Sequence, residues 1–415
     1  MGRKPIAGFP LAIVALAGCA DSTDRPPADA SDAPHEAAEA GDAEPREIVP
    51  PTVSEPEFVV PSAGLPAEVR LQRANNNLAV AEHDGRTYLA FRTAPTHFAS
   101  AETVLYVVST LDGTNWDLET SVALGTDLRE PQLLSLGGDL FFYFAVLGTD
   151  PLGFDPQGMR VCRRLGPGEW TAPEAIYEPT FIPWRIRTID GAVYLTGYTG
   201  GENIYEPGGD PIAIHFLTTT DGLHWEPVVP GRPVVLTGGG SETDFAFLAD
   251  GSLVAVVRNE AGDESGFGSK ICRARPEALA DWECVHDPRK YDSPLVFRQG
   301  DDVWLVGRRH LAGDGSYDLG YDDLTLEEQY REYQLAYWRA PKRCSLWWVD
   351  PEALAVRFVL DLPSRGDTCL PDAIETEGRA VVYNYTSPLD GPDLDWMDGQ
   401  IGPTSIYRVT LDFAE

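Results

Sequence analysis

The chain reads as an all-β protein, a six-bladed β-propeller. Three observations lead there. The first is composition: 415 residues with 43% hydrophobic and 10% aromatic side chains are globular, and 40 Gly with 34 Pro suit a turn-rich β protein better than a helical one. The second is a pattern that occurs six times from about residue 60. A polar or charged residue opens a short strand, a Gly-containing turn follows, and a strongly apolar strand ends in a polar or aromatic residue. The third is spacing. The turn glycines at 85, 138, 191, 251, 300 and 378 are 53, 53, 60, 49 and 78 residues apart. A period near 50 with several strands per unit specifies a propeller rather than a solenoid.

Each copy can be justified in order. The openers are Asn75–Asn77, Glu130, Arg185, Glu242 with Asp244, Asp292 and Asp372, and the turns include Asp84-Gly85, Asp190-Gly191 and Asp250-Gly251. Asp-Gly between alternating strands is a strong hairpin signal, because the tight turn needs positive φ. Second hairpins lie between the first. Two share one device, Thr110-Leu-Asp112-Gly113-Thr-Asn-Trp116 and Thr219-Thr-Asp221-Gly222-Leu-His-Trp225. In each, the Asp caps the turn through backbone N–H groups and the Trp packs beneath. The sixth copy leads to 404–411 and lacks an outermost strand, which the segment near Phe58-Val59-Val60 is expected to supply, closing the ring. The longest gap holds 311–340, where Thr325-x-x-Glu328 predicts a capped helix through Tyr330 and Tyr333. Asp314, Asp318, Asp322 and Asp323 precede it without the spacing of a calcium loop, so no metal is expected.

Upstream of the repeat the chain changes character. Arg3 and Lys4 precede an apolar run from Ile6 to Ala17, then Gly18-Cys19, which predicts a signal peptide over 1–18. Residues 20–57 hold eleven acidic and two basic residues with few large apolar ones, which predicts a disordered acidic tether over 19–57 and a propeller over 58–415. Of the formal charge of −33, the segment 20–57 carries −9 and the folded body −26. Such acidity excludes nucleic acid, whose phosphates need Lys and Arg. Export permits disulfides. Cys272 and Cys284 flank a hairpin, Cys344 and Cys369 are a second candidate pair, and Cys162 is left over.

The first strand of each propeller blade lines the central channel. The openers therefore crowd one mouth, together with Arg92, Tyr198, Arg258, Arg308 and Tyr385 at the ends of the second strands and His97 just beyond Arg92. Arginine forks bind carboxylates bidentately. Paired carboxylates suit glycosidic acid/base work, about 5 Å apart for retention and about 6.5–9.5 Å for inversion. The alternative is that these charges pair with one another around the axis.

These residues also carry a resemblance. Phe91-Arg92-Thr-Ala-Pro-Thr-His97, Asp127-Leu-Arg129-Glu130-Pro131, Trp184-Arg185, Glu242…Asp250-Gly251…Arg258 and Gly366-Asp367…Pro371…Asn384-Tyr385-Thr-Ser387 resemble elements of the sialidase-like (BNR/Asp-box) propellers. Among these, they are similar to an exported bacterial group described as exo-α-sialidase-like, over about residues 70–411. Leu16-Ala17-Gly18-Cys19 resembles the lipobox of bacterial lipoproteins, in which the Cys carries the lipid. The resemblance implies lipidation at Cys19, with Ala20 favouring the outer membrane and the lipid as the sole membrane contact. It implies a carbohydrate ligand, with an anionic sugar as one option, no cofactor, and a monomer. Glu130, Glu242 and Asp372 become candidates for acid/base or nucleophile and His97 for donor or shuttle. Arg92, Arg129, Arg185, Arg258, Arg308, Tyr385 and Trp184 become candidates for substrate contact.

Two places depart from sialidases. The first blade reads Ala74-Asn75-Asn76-Asn77 where they place a carboxylate-binding Arg, and the position of their nucleophilic Tyr falls near Cys369-Leu370-Pro371. Three functions stay open: a glycoside hydrolase with altered apparatus, a non-catalytic glycan-binding propeller, and a structural envelope protein. The mouth offers a test. A locally positive funnel fits an anionic ligand, and a negative funnel fits a neutral or cationic one.

Overall fold

The structure, a computed structural model, describes residues 47–413 apart from 152, 201–203 and 206–208. The expected signal peptide, Cys19 and residues 20–46 of the tether lie outside the described residues; 47–57, expected to be disordered, are described and include the strand Thr52–Val53. Residues 50–415 form a unit by themselves.

Six antiparallel sheets follow one another along the chain, as the repeat requires. The first blade is Ala74–His83, Arg86–Ala94, Val104–Thr110 and Trp116–Val122. Inner strands of the next five are Asp127–Leu136, Ile182–Ile189, Thr243–Phe247, Leu295–Gln299 and Asp372–Thr376. The sixth blade continues through Arg379–Thr386 to Ser405–Asp412, against which Thr52–Val53 and Glu57–Val60 pair antiparallel. Glu57 holds that junction with a bidentate bond from Arg408, at 2.8 and 2.9 Å.

Apolar residues alternate to both faces of each sheet because every blade packs between two others. Leu133, Phe142 and Phe144 thus share a cluster with Ala79, Tyr88 and Val107 of the preceding blade, all buried. The two Thr-x-Asp-Gly turns are built alike. Asp112 accepts from the amides of Thr114 and Asn115, Asp221 from those of Leu223 and His224, each at 2.8 Å. Trp116 and Trp225 are buried below. Cys272 and Cys284 stand opposite each other on neighbouring strands and are bridged. Cys344 and Cys369 are bridged between the fifth blade and the segment leading to the sixth, and Cys162 is free and buried.

One device joins neighbouring blades in pairs. Gln132 on the second blade accepts from the amide of Ile186 on the third at 3.1 Å. Asp244 on the fourth accepts from Val296 on the fifth at 2.6 Å. Asp372 on the sixth accepts from Val80 on the first at 2.8 Å. Even blades supply the acceptor and odd blades the N–H, each a donor that the sheet ladder leaves to be satisfied.

Helix α1, Leu326–Trp338, starts at the expected capping box of Thr325 and Glu328. It lays Tyr337 against the fifth blade, where the hydroxyl donates to Asp292 at 2.5 Å.

Candidate active site at the channel mouth

Backbone irregularities position the mouth. The inner strands of the first three blades carry bulges at Asn76/Leu78, Arg129/Gln132 and Pro183/Arg185. Asn77 and Glu130 take positive φ, 41° and 49°, in a region that disfavours their side chains. A bulge re-aims one side chain relative to its ladder, and such strain persists where the surroundings fix it. Here the two bulges bring Asn77 and Glu130 together, with the Asn77 amide donating to Glu130 at 3.1 Å. Glu130 is partly exposed and makes no ion pair among the described residues. Burial raises its carboxyl to about 7, and the charge of Glu242 adds to the effect.

Glu242 sits at the entrance of the fourth blade. Arg258 lies 2.8 Å from it, and the amide of Ser293 donates to it at 2.8 Å. Burial pushes its carboxyl up while Arg258 works against that. Arg258 also donates to the Tyr205 hydroxyl at 2.6 Å and lies over the Tyr205 ring.

His97 is oriented from behind. Its Nδ1 is 2.7 Å from Asp367, which is fully buried and also accepts from the Tyr385 hydroxyl at 3.0 Å. A carboxylate there fixes the tautomer with hydrogen on Nδ1, leaving Nε2 as the acceptor, without a hydrogen-bond partner among the described residues. Burial lowers the imidazole's pKa, so the ring is neutral near pH 7. Arg129 ties His97 to the second blade by donating to its carbonyl oxygen at 2.8 Å and to Asp127 at 2.5 Å.

Other expected site residues take different places. Arg92 has no exposed surface; it binds Asp127 at 2.8 Å, Asn76 and two backbone carbonyls, and so holds Asp127 beneath Arg129 rather than facing a ligand. Arg185 is 2% exposed and fills the axis. It donates to Pro294 O and Pro371 O at 3.0 and 3.1 Å and lies 3.6 and 3.4 Å from Asp244 and Asp372. Asp372 spends its oxygens on Val80 N, Ala373 N and Arg185, a structural clip rather than a free acid. Trp184 is buried in the apolar core, without a face for a sugar. Arg308 is nearly buried between Asp292 at 2.9 Å and two carbonyls, and Tyr385 is buried behind His97.

Sequence reasoning named neither Asp127 nor Asp367 as a site group, although both stand inside the motifs that carry the resemblance. It also missed Lys290, which is buried and bonded to Glu260 at 2.5 Å with the Tyr337 ring 3.7 Å away. Tyr205 lies in a loop with no pattern to reveal it. Among the described residues, no group of three or more His, Cys, Asp or Glu is arranged to hold a metal ion.

No family model matches the chain, and no curated protein matches it. Solved structures do. The chain is similar to the phage phi92 endosialidase, with a TM-score of 0.54 and 9% identity over 84% of this chain and 68% of that one. It is similar to the Trypanosoma rangeli sialidase, solved with the inhibitor DANA (TM-score 0.55, 11% identity, 82% of this chain) and with sialic acid (TM-score 0.51). The chain spans about half the length of the latter protein, 55% in the inhibitor complex. At these identities the likeness is one of fold, a six-bladed propeller whose structural neighbours are sialidases.

Proposed function

We propose that the protein is a glycoside hydrolase acting at the channel mouth, with Glu130 as the proton donor. One observation carries the reading. Glu130 is a partly exposed carboxyl with no ion pair to an arginine among the described residues, placed by a strained bulge and holding its proton to about pH 7. A general acid works best with its pKa near the working pH. Glu242, charged against Arg258, supplies the second carboxylate that glycoside cleavage uses. His97, neutral and with Nε2 open, accepts a hydrogen bond from a sugar hydroxyl or relays a proton. The nucleophilic Tyr of sialidases has no counterpart in this scheme.

The test is turnover of a glycan panel by the wild type and by Glu130→Gln and Glu242→Gln variants. Loss of turnover with binding retained supports the reading. Binding without turnover by the wild type supports a non-catalytic glycan-binding propeller instead, a reading favoured by the complete internal bonding of Asp372 and Asp367. We further propose, from the sequence of residues 1–57, that the chain is exported and lipidated at Cys19. Metabolic labelling with a palmitate analogue, lost in Cys19→Ala, tests this.

A further inference from the structure

The hydrolase reading leaves the sugar open, and the arginines of the mouth narrow it. A ligand carboxylate is held best by two parallel N–H bonds from one guanidinium. Arg258 has no such edge free. Its Nε donates to Ser241 Oγ at 3.1 Å, its Nη2 to Tyr205, and its Nη1 faces Glu242 with Glu260 and Asp292 each 3.7 Å away. Arg308 is committed likewise, Nε to Thr368 O at 2.7 Å, Nη1 to Asp292 and Nη2 to Cys369 O at 3.3 Å. Arg129 gives Nε to Asp127 and Nη2 to His97 O.

The charges balance in the same way. Asp127 answers Arg92 and Arg129, Glu242 answers Arg258, Asp292 answers Arg308, and Glu260 answers Lys290. Asp367, facing the neutral His97, supplies the further negative charge that matches the second arginine on Asp127. Glu130 then adds either nothing or one negative charge. Among the described residues an arriving carboxylate meets no excess positive charge, and to gain a parallel pair of bonds from Arg258 or Arg308 it would have to displace a buried internal partner, which leaves that partner's charge unpaired.

We infer that the glycan taken at this mouth is uncharged, a neutral hydroxyl-rich sugar rather than a sialic or uronic acid. This rests on the reading of the mouth as a glycan site, and it goes against the preference that the structural neighbours would suggest. Contacts to such a sugar come from Glu130, the open Nε2 of His97 and the partly exposed rings of Tyr205 and Tyr330. Hydroxyl groups need single donors and acceptors, which these residues offer.

The experiment reads binding, so a failure of Glu130 as an acid leaves its outcome untouched. Full-length protein at low ionic strength is titrated with matched sugars: glucose against glucuronic acid, galactose against galacturonic acid, and N-acetylneuraminic acid. Wild type is expected to bind at least one neutral member about tenfold or more tighter than its acidic counterpart. Glu242→Gln, which unpairs Arg258, is expected to gain acid binding by about tenfold, and added salt should abolish the gain. Tighter binding of any acid by the wild type, binding of neither member of a pair across the panel, or no gain in the variant overturns the inference. Where Glu242→Gln does not fold, the wild-type comparison decides.

Discussion

At the axis, Arg185 of the third blade is answered by two carboxylates and two carbonyls from the fourth, fifth and sixth blades. At the mouth, Glu130 of the second blade is answered by a single amide. Both are charged openers of inner strands, and the sequence treats them alike. Their difference teaches where a propeller spends ionisable groups. A charge that ties blades together must have all its bonds made, since an unpaired buried charge is costly. A group that does chemistry must keep an unmet bond and a pKa poised for transfer, and it destabilises the fold in consequence.

The largest expected effect tests the axis. Arg185→Ala leaves Asp372 without an ion-pair partner among the described residues and Asp244 with Arg187 alone, and denaturant unfolding is expected to show a loss of about 3–5 kcal/mol. A loss near zero would mean that the axial charges are bystanders.

The mouth is expected to respond in the opposite direction. Glu130 binds its proton with a pKa of about 7 when folded, against 4.5 as the ordinary Glu value. Between those pH values the unfolded chain releases the proton first, so the fold loses stability as pH rises from 4.5 to 7. Removing that carboxyl in Glu130→Gln is expected to raise stability at pH 8 by up to roughly 3 kcal/mol and to change little at pH 4. On a substrate the wild type turns over, the same variant is expected to lose about 100-fold or more in turnover. Wild-type turnover itself should fall above about pH 7 as the donor loses its proton. Equal stability of the two proteins at pH 8 would remove the contrast with the axis.

A smaller effect probes the support behind the mouth. Tyr385→Phe removes one donor from Asp367 and is expected to cost about 1 kcal/mol. It should also raise the pKa of His97, followed by NMR, because Asp367 is left with more charge to direct at the ring. The smallest is a control at the rim. Asp221→Ala removes the acceptor for Leu223 N and His224 N and should lower the melting temperature slightly, with turnover unchanged.

Much of the fold was legible because glycine turns and apolar strands recur at a near-constant interval. The site was legible only in part, and strand geometry explains which part. Glu242 and Asp244 point to the same face, two residues and about 7 Å apart along the strand. The first reaches the mouth and the second clips the next blade. Glu130 and Gln132 divide the two tasks in the same way, although a bulge rather than the regular strand repeat separates them, and Asp372 takes the clip position on the sixth blade. A pattern of polar openers does not distinguish the two depths. Nor does it say which arginines find partners on distant blades, as Arg185 does with backbone carbonyls 109 and 186 residues away.

The three blade-joining clips set an order of events in time. Two of them span 54 and 52 residues, so their partners meet within neighbouring stretches of chain. The third spans 292, from Val80 to Asp372. The entropy of closing a loop grows with its length, and contacts between distant residues form late. In a pulse-labelling experiment the amides of Ile186 and Val296 should therefore become protected before that of Val80, whose protection would mark the moment at which the ring is complete.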